Sequence, residues 1–214
     1  MNPIAKYAGL FLIATVWAMT GCTNGTDTNT IRSVKTAGAK SASITYVSPA
    51  SNNWRYDSLR SMTSTVPANG KRTFPFGGWV SVEQYKGKRY IYYPCDLAYL
   101  SRTEITPVVW KEYGFETEES RIRSVSYRGK NQVEYDLTDP AGRLHKVTLY
   151  LVDANNGLVV KETNSGSAVY NLLVSTDRLH TLPMIVNECD SKVEEVEMDK
   201  IDFVRLLRGA GFKK

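Results

Sequence analysis

Five short runs decide the architecture of this chain: IRSVSY (122–127), QVEYDL (132–137), RLHKVTLYLV (143–152), LVVKE (158–162) and AVYNLLV (168–174). Each is rich in β-branched, aromatic or other apolar residues. Between them stand the turn-forming stretches RGKN, TDPAG, DANNG and TNSGS. Runs of this length bounded by Gly, Pro, Asn and Asp read as strands joined by hairpins. Asn156-Gly157 is the strongest turn signal, because both residues tolerate the positive φ that a two-residue hairpin demands. The spacing predicts an antiparallel meander of about five strands.

Side chains alternate across a strand, so the longest run separates into two faces. Val147, Leu149 and Leu151 form a wholly apolar face, which His145 shares, while Lys146, Thr148, Tyr150 and Val152 form a mixed one. Such a sheet packs a core on one side and meets solvent or a partial cover on the other. Upstream, GWVSVEQY (78–85) and KRYIYY (88–93) meet around Lys86-Gly87-Lys88 and predict a further hairpin.

Helical signals are fewer. Ser101-Arg102-Thr103-Glu104 has capping-box spacing and predicts one or two helical turns around Trp110, with Pro107 at a start position. DKIDFVRLLRGAG (199–211) predicts a terminal helix with Asp199 as N-cap, Arg205 and Arg208 in the last turn and Gly209 as the stop. No repeat of about 20 to 50 residues is visible, which removes solenoids and propellers. The expected fold class is α+β, mainly antiparallel β: the meander, an N-terminal hairpin and a C-terminal helix in one domain over 43–214.

At the other end, Lys6 is followed by the uncharged run Tyr7–Met19 and then by Thr20-Gly21-Cys22. A positive end, a short apolar core and small residues are the layout of a secretory signal. The apolar core falls short of the roughly 20 residues that cross a bilayer. Its ending on a cysteine resembles the lipobox of bacterial lipoproteins, with Gly21 as the small residue before the cut and Cys22 as the lipidated residue. Met19 and Thr20 stand where Leu and a small residue are commonest, and an ordinary signal with an incidental cysteine is the other reading. The resemblance covers about 22 residues. It implies a signal peptide over 1–21, a lipid anchor at Cys22 and attachment to a membrane without a spanning helix. Thr23 lacks the Asp that retains better-studied lipoproteins at the inner membrane, so the resemblance implies the outer membrane, facing the periplasm. Residues 22–42 are mostly Thr, Asn, Ser, Gly and Ala and read as a flexible tether.

Cys95 and Cys189 remain, an even number in an exported chain. Two readings stand: a disulfide closing a long loop, worth about 4 to 5 kcal/mol in the chain-entropy account, or two buried thiols. Neither has a second Cys or His at zinc-ligand spacing, and no metal or cofactor is expected.

The formal net charge of +5 is too small to argue for nucleic acid. Of the two histidines, His145 reads as structural, and His180 stands in a loop with Asp177 three residues before it, compatible with a base and its orienting carboxylate. No Gly-x-Ser-x-Gly elbow, His-Glu-x-x-His motif or phosphate-cradling loop accompanies them, and DANNG lacks the spaced acids of a calcium loop. The sequence therefore predicts no enzyme.

Two features exceed this background. Eight aromatic residues fall between Phe74 and Tyr99, and Trp79, Tyr90, Tyr92 and Tyr93 are the candidate binding surface, with a packed core as the competing reading. In addition, the acidic stretch Glu188–Asp202 gives way to Arg205, Arg208, Lys213 and Lys214, which either touch anionic headgroups or form an ordinary solvated helix end. The function expected is a non-catalytic, periplasm-facing binding domain engaging another envelope protein. The alternative is a lipidated inhibitor or immunity protein that neutralises a toxin or lytic enzyme.

Overall fold

A computed structural model describes residues 45–63, 74–187 and 196–214. The elements run β1 (Thr45–Val47), α1 (Trp54–Ser61), β2 (Gly77–Tyr85), β3 (Lys88–Tyr93), a 3-10 turn (Leu97–Tyr99), β4 (Arg102–Ile105), β5 (Val109–Tyr113), β6 (Thr117–Tyr127) and β7 (Gln132–Thr138). They continue with β8 (Leu144–Asp153), β9 (Leu158–Asn164), β10 (Ala168–Ser175), a 3-10 stretch (Thr176–Thr181), β11 (Met184–Val186) and α2 (Phe203–Gly209).

The meander closes on itself. Strands β4 to β10 pair consecutively and antiparallel, and β2 pairs with β10 on one edge and β4 on the other, giving a closed eight-stranded barrel. Three further strands extend from β2 in the order β3, β11, β1. The second half of β2 carries them: Gly77–Val80 face Ile105–Arg102, whereas Val82–Tyr85 face Ile91–Lys88 along the same edge. One strand therefore serves as a barrel stave and as the root of a small sheet.

Alternation along the strands builds two cores. One holds residues from every barrel strand, including Trp79, Ile105, Trp110, Tyr135, Leu149, Val159 and Leu173, with Ile122 and Val125 packed on it, and is the filled lumen. The other lies outside the wall made by β2, β8, β9 and β10, where Val80, Val82, Tyr150, Val160 and Val174 meet Tyr56 and Leu59 of α1, Ile91, Met184 and Leu207. Tyr56 and Leu59 share one face of α1 at i and i+3, and both are fully buried. At about 1.5 to 3 kcal/mol each, they anchor a helix that Asn53 starts by accepting a hydrogen bond from the Arg55 N–H at 3.0 Å. The Tyr56 hydroxyl donates to the Leu182 carbonyl at 2.8 Å.

The remaining outer wall is polar. Lys111, Glu119, Arg121, Glu134, Asp136 and Lys146 alternate with lumen residues on β5 to β8, and Lys111 pairs with Glu119 at 3.0 Å. A membrane-spanning barrel has the opposite arrangement, with an apolar outer band. No helix among the described residues is long and apolar enough to cross a membrane.

Several expectations are corrected. The chain is mainly antiparallel β as expected, but the described residues include only two short α-helices, so the α+β class gives way to a barrel, and the meander has seven strands because β4 and β5 precede those read from the sequence. The capping-box tetrad opens β4 instead of a helix: Thr103 and Ile105 alternate into the lumen, where burying both and Trp110 outweighs local propensity. Asn156-Gly157 belongs to a four-residue turn, 154–157, preceded by a bulge between Leu151 and Asp153. The Asp153 carboxylate accepts from the Asn156 N–H at 3.1 Å and its amide at 2.7 Å, and Gly157 supplies a φ of 65°. The terminal helix is capped by Asp202, which accepts from the Arg205 N–H at 2.9 Å. Asp199 is captured earlier: its N–H donates to the Gln84 carbonyl at 2.7 Å and its carboxylate accepts from the Gly87 N–H at 2.8 Å.

Candidate functional site

The two ends of the barrel differ. At the end where β2 begins, Phe74 and Phe76 pack against the lumen core, and Phe74 meets Trp79 edge-on at 6.3 Å. The Trp79 indole donates to the Pro75 carbonyl at 3.2 Å. Phenylalanine rings therefore plug this end.

Toward the other end the lumen turns polar. Glu112 and Lys161 have the same inward parity as Trp110 and Val159, and their strands lie opposite each other in the ring, four steps apart either way. Their side chains meet: the Lys161 ammonium donates to Glu112 Oε1 at 2.9 Å, and the Trp110 indole donates to the same oxygen at 2.8 Å. Only 5 % of the Lys161 side chain is exposed, against 36 % for Glu112, so the carboxylate is the wetter partner. An ammonium buried this deeply persists only with such a counter-charge.

Around this polar end the hairpin tips and strand starts carry apolar side chains into solvent. Phe115, in the turn between β5 and β6, is 77 % exposed and stacks on Tyr99, itself 64 % exposed, at 6.1 Å. Leu144, at the start of β8, is 73 % exposed, and Val169, at the start of β10, is exposed as well. Antiparallel pairing places all of these strand starts at the end where the β5–β6 turn lies. These four apolar side chains thus stand exposed around a charged interior, interspersed with exposed Glu116 and Arg143, while Val108 and Tyr127 are exposed at the opposite end.

The residues singled out from sequence fall elsewhere. Trp79 is in the lumen and Tyr93 in the outer core, both buried, so neither offers a surface. β2 has a core on each side and β3 on one, a situation that aromatic density alone does not reveal. Tyr90 and Tyr92 occupy the opposite face of β3 and are partly exposed. Tyr90 lies 5.8 Å from Tyr46 and 6.5 Å from Tyr85, and the Tyr92 hydroxyl accepts from the Asn187 amide at 3.1 Å. His180 packs on the Tyr56 ring at 4.5 Å. His145 is half-buried on β8. Among the described residues, no group of three His, Cys, Asp or Glu side chains is placed to hold a metal ion. Cys22 and Cys189 lie outside the described residues, whereas Cys95 follows β3 directly.

A second polar centre, not anticipated from sequence, lies on the outer wall. The Glu162 carboxylate, 6 % exposed, accepts from the Tyr150 hydroxyl at 2.7 Å, from the Tyr170 hydroxyl at 3.2 Å and from the Lys214 ammonium. Lys214 also lies over both tyrosine rings, 5.1 Å from Tyr150 and 5.9 Å from Tyr170. Burial disfavours charge on both partners, yet the hydrogen bonds and mutual attraction outweigh it. Glu162 is held below the ordinary carboxylate range and Lys214 above the ordinary lysine range. Phe212 on Tyr150 at 5.0 Å and Phe203 on Tyr170 at 5.6 Å complete the docking of α2.

No protein-family model matches the chain, and neither the curated proteins nor the solved structures yield a match to it.

Proposed function

We propose that this chain is a lipid-tethered, non-catalytic binding domain of the bacterial cell envelope, and that it docks on another envelope protein through the apolar rim at the polar end of its barrel. The observation that carries the reading is the Tyr99–Phe115 stack, two large rings held together yet exposed by 64 % and 77 %. Two exposed aromatic rings stacked side by side favour a partner that covers them, because Tyr and Phe contribute large buried area at interfaces. Anchoring by Cys22 at the outer membrane, with the domain facing the periplasm, belongs to the same proposal, as does a bond between Cys95 and Cys189. For that bond, β11 runs parallel to β3 with Val186 opposite Tyr93, and the Asn187 N–H donates to the Tyr93 carbonyl at 2.9 Å. Cys95 and Cys189 each follow within three residues of this pairing.

A photoreactive phenylalanine at position 115, irradiated in cells, tests the rim. One discrete adduct is expected, lost with Tyr99→Asp and absent when the photoreactive residue replaces Ser126. No adduct at position 115, or equal adducts at both positions, overturns the rim assignment. A membrane-complex component in the adduct favours the scaffold reading, and a soluble lytic enzyme favours the lipidated inhibitor. For the anchor, Cys22→Ser is expected to abolish incorporation of radiolabelled fatty acid. Incorporation at the wild-type level overturns it.

A further inference from the structure

The basic residues near α2 divide into two groups. Lys214 is held by Glu162, and the Arg208 guanidinium donates to the Lys214 carbonyl at 3.0 Å. Arg205 instead points to a groove that it lines together with Arg89 of β3 and Lys200, over a floor that includes Val152, Leu206 and Ala210. The groove has a volume of about 520 Å³. Among the described residues, none of these three cationic side chains ends in a hydrogen bond or ion pair.

Asp202 is the one acid that lines the groove, and it accepts from the Arg205 N–H. The nearby Asp199 accepts from the Gly87 N–H and Asp153 from the Asn156 N–H. Arg89 acts on Asp153 through space: burial works against that carboxylate, but the Asn156 bonds and the nearby guanidinium hold it low. Cations thus converge from a strand, a loop and a helix on one concavity, and their hydrogen-bond donors remain unused. An anionic head satisfies such donors with charge-assisted hydrogen bonds, while the apolar floor accepts hydrocarbon.

We propose that this groove between α2 and the β2–β3 hairpin binds an anionic amphiphile, with a phosphate-bearing head on Arg89, Lys200 and Arg205 and the first part of an apolar tail along Val152, Leu206 and Ala210. The site is separate from the barrel rim. For a domain tethered at a bilayer, a phospholipid headgroup is the source of such a ligand, and a free phosphate compound is the competing source.

Titration of the purified domain with monomeric short-chain phosphatidylglycerol, followed by calorimetry and by amide chemical shifts, tests the proposal. Saturable binding is expected, with the largest shifts at Leu206 and Ala210. Arg89→Ala and Arg205→Ala should each weaken it about tenfold, the value of one charge-assisted contact. Ala210→Trp, which fills the groove without removing charge, should weaken it as much, and circular dichroism checks that each variant is folded. Three results overturn the proposal: equal affinity for short-chain phosphatidylcholine, equal affinity for inorganic phosphate alone, and binding to phosphatidylglycerol vesicles without binding to the monomer. The last marks a diffuse surface effect. The position-115 adduct should persist in Arg205→Ala, so the groove and the rim stand or fall separately.

Discussion

Lys161 and Glu112 join opposite walls of the barrel with a single 2.9 Å contact, and the indole of Trp110 donates to the same carboxylate oxygen. The pair acts as a strut where the lumen changes from apolar to polar. Removing one partner strands the other in a site built for two charges. Glu112→Ala is expected to cost about 3 kcal/mol in urea unfolding, since an uncompensated buried ammonium remains. The double substitution Glu112→Gln/Lys161→Met should recover most of that loss, because charge and counter-charge leave together while the amide oxygen can still accept from the Trp110 indole. Equal losses in the single and double variants would show that the ionic contact is not what matters there.

Tyr135 offers the opposite test. Its ring packs edge-on against Trp110 at 5.2 Å in the lumen, but among the described residues its buried hydroxyl has no hydrogen-bond partner. Burial also pushes its phenol well above the ordinary tyrosine range. Tyr135→Phe keeps the ring and removes the unsatisfied group, so it should stabilise the fold by about 1 kcal/mol. Thermal unfolding of the two proteins side by side decides it, and a lower midpoint in the variant would mean that the hydroxyl is satisfied in solution.

The docking of the C-terminal segment should depend on pH through Glu162 and Lys214. Glu162 titrates below its ordinary value, so its contribution is complete above about pH 5 and disappears as pH falls through the lowered folded value. Lys214 titrates above its ordinary value, so its contribution is complete below about pH 10 and is lost only in strong alkali. The protection of the Ala210 amide, which is bonded within the last turn of α2, measured as its exchange rate relative to the unprotected rate at the same pH, should therefore fall on acidification. Glu162→Gln should show the lower protection already at neutral pH, with a flattened acid response. An identical acid limb in that variant would place the titrating group elsewhere.

The proposed Cys95–Cys189 bond predicts a native mass two hydrogens below that of the reduced chain. Cys95→Ser should then cost about 2 to 5 kcal/mol, with the effect greatest on β11, which has only β1 and β3 as strand neighbours. Two alkylatable thiols in protein isolated from cells without reductant would refute the bond.

The meander was legible because its signals are local: alternation within β7 to β10 and the turn residues between them stand within a few positions of each other. Closure was not, because the pairing of β2 with β10 joins Trp79 to Ser175 and leaves no trace in either strand's own pattern. β4 and β5 were obscured by the coincidence of Ser101 and Glu104 at capping distance, which burial of Thr103, Ile105 and Trp110 overrides. The lumen strut had a faint signal, since Lys161 shares its parity with Val159, but LVVKE has apolar residues on both faces and hides which side is inward. Glu162, on the other face, needed α2 and Lys214 to acquire its meaning. Trp79 and Tyr93 resembled one cluster in the sequence because their strands are adjacent, yet they feed two different cores.

The double duty of β2 sets a limit on how this chain can change in length. Trp79 faces the lumen while Val80 and Val82 face the outer core, so one added or deleted residue ahead of Trp79 would exchange the contents of both compartments at once. The bulge between Ile122 and Ser124 on β6 shows that a strand with a solvated outer face absorbs an extra residue. β2 has no such outlet, so length variation in this protein should collect in the hairpin tips and on β6, while the segment from Gly77 to Val82 stays fixed to the residue.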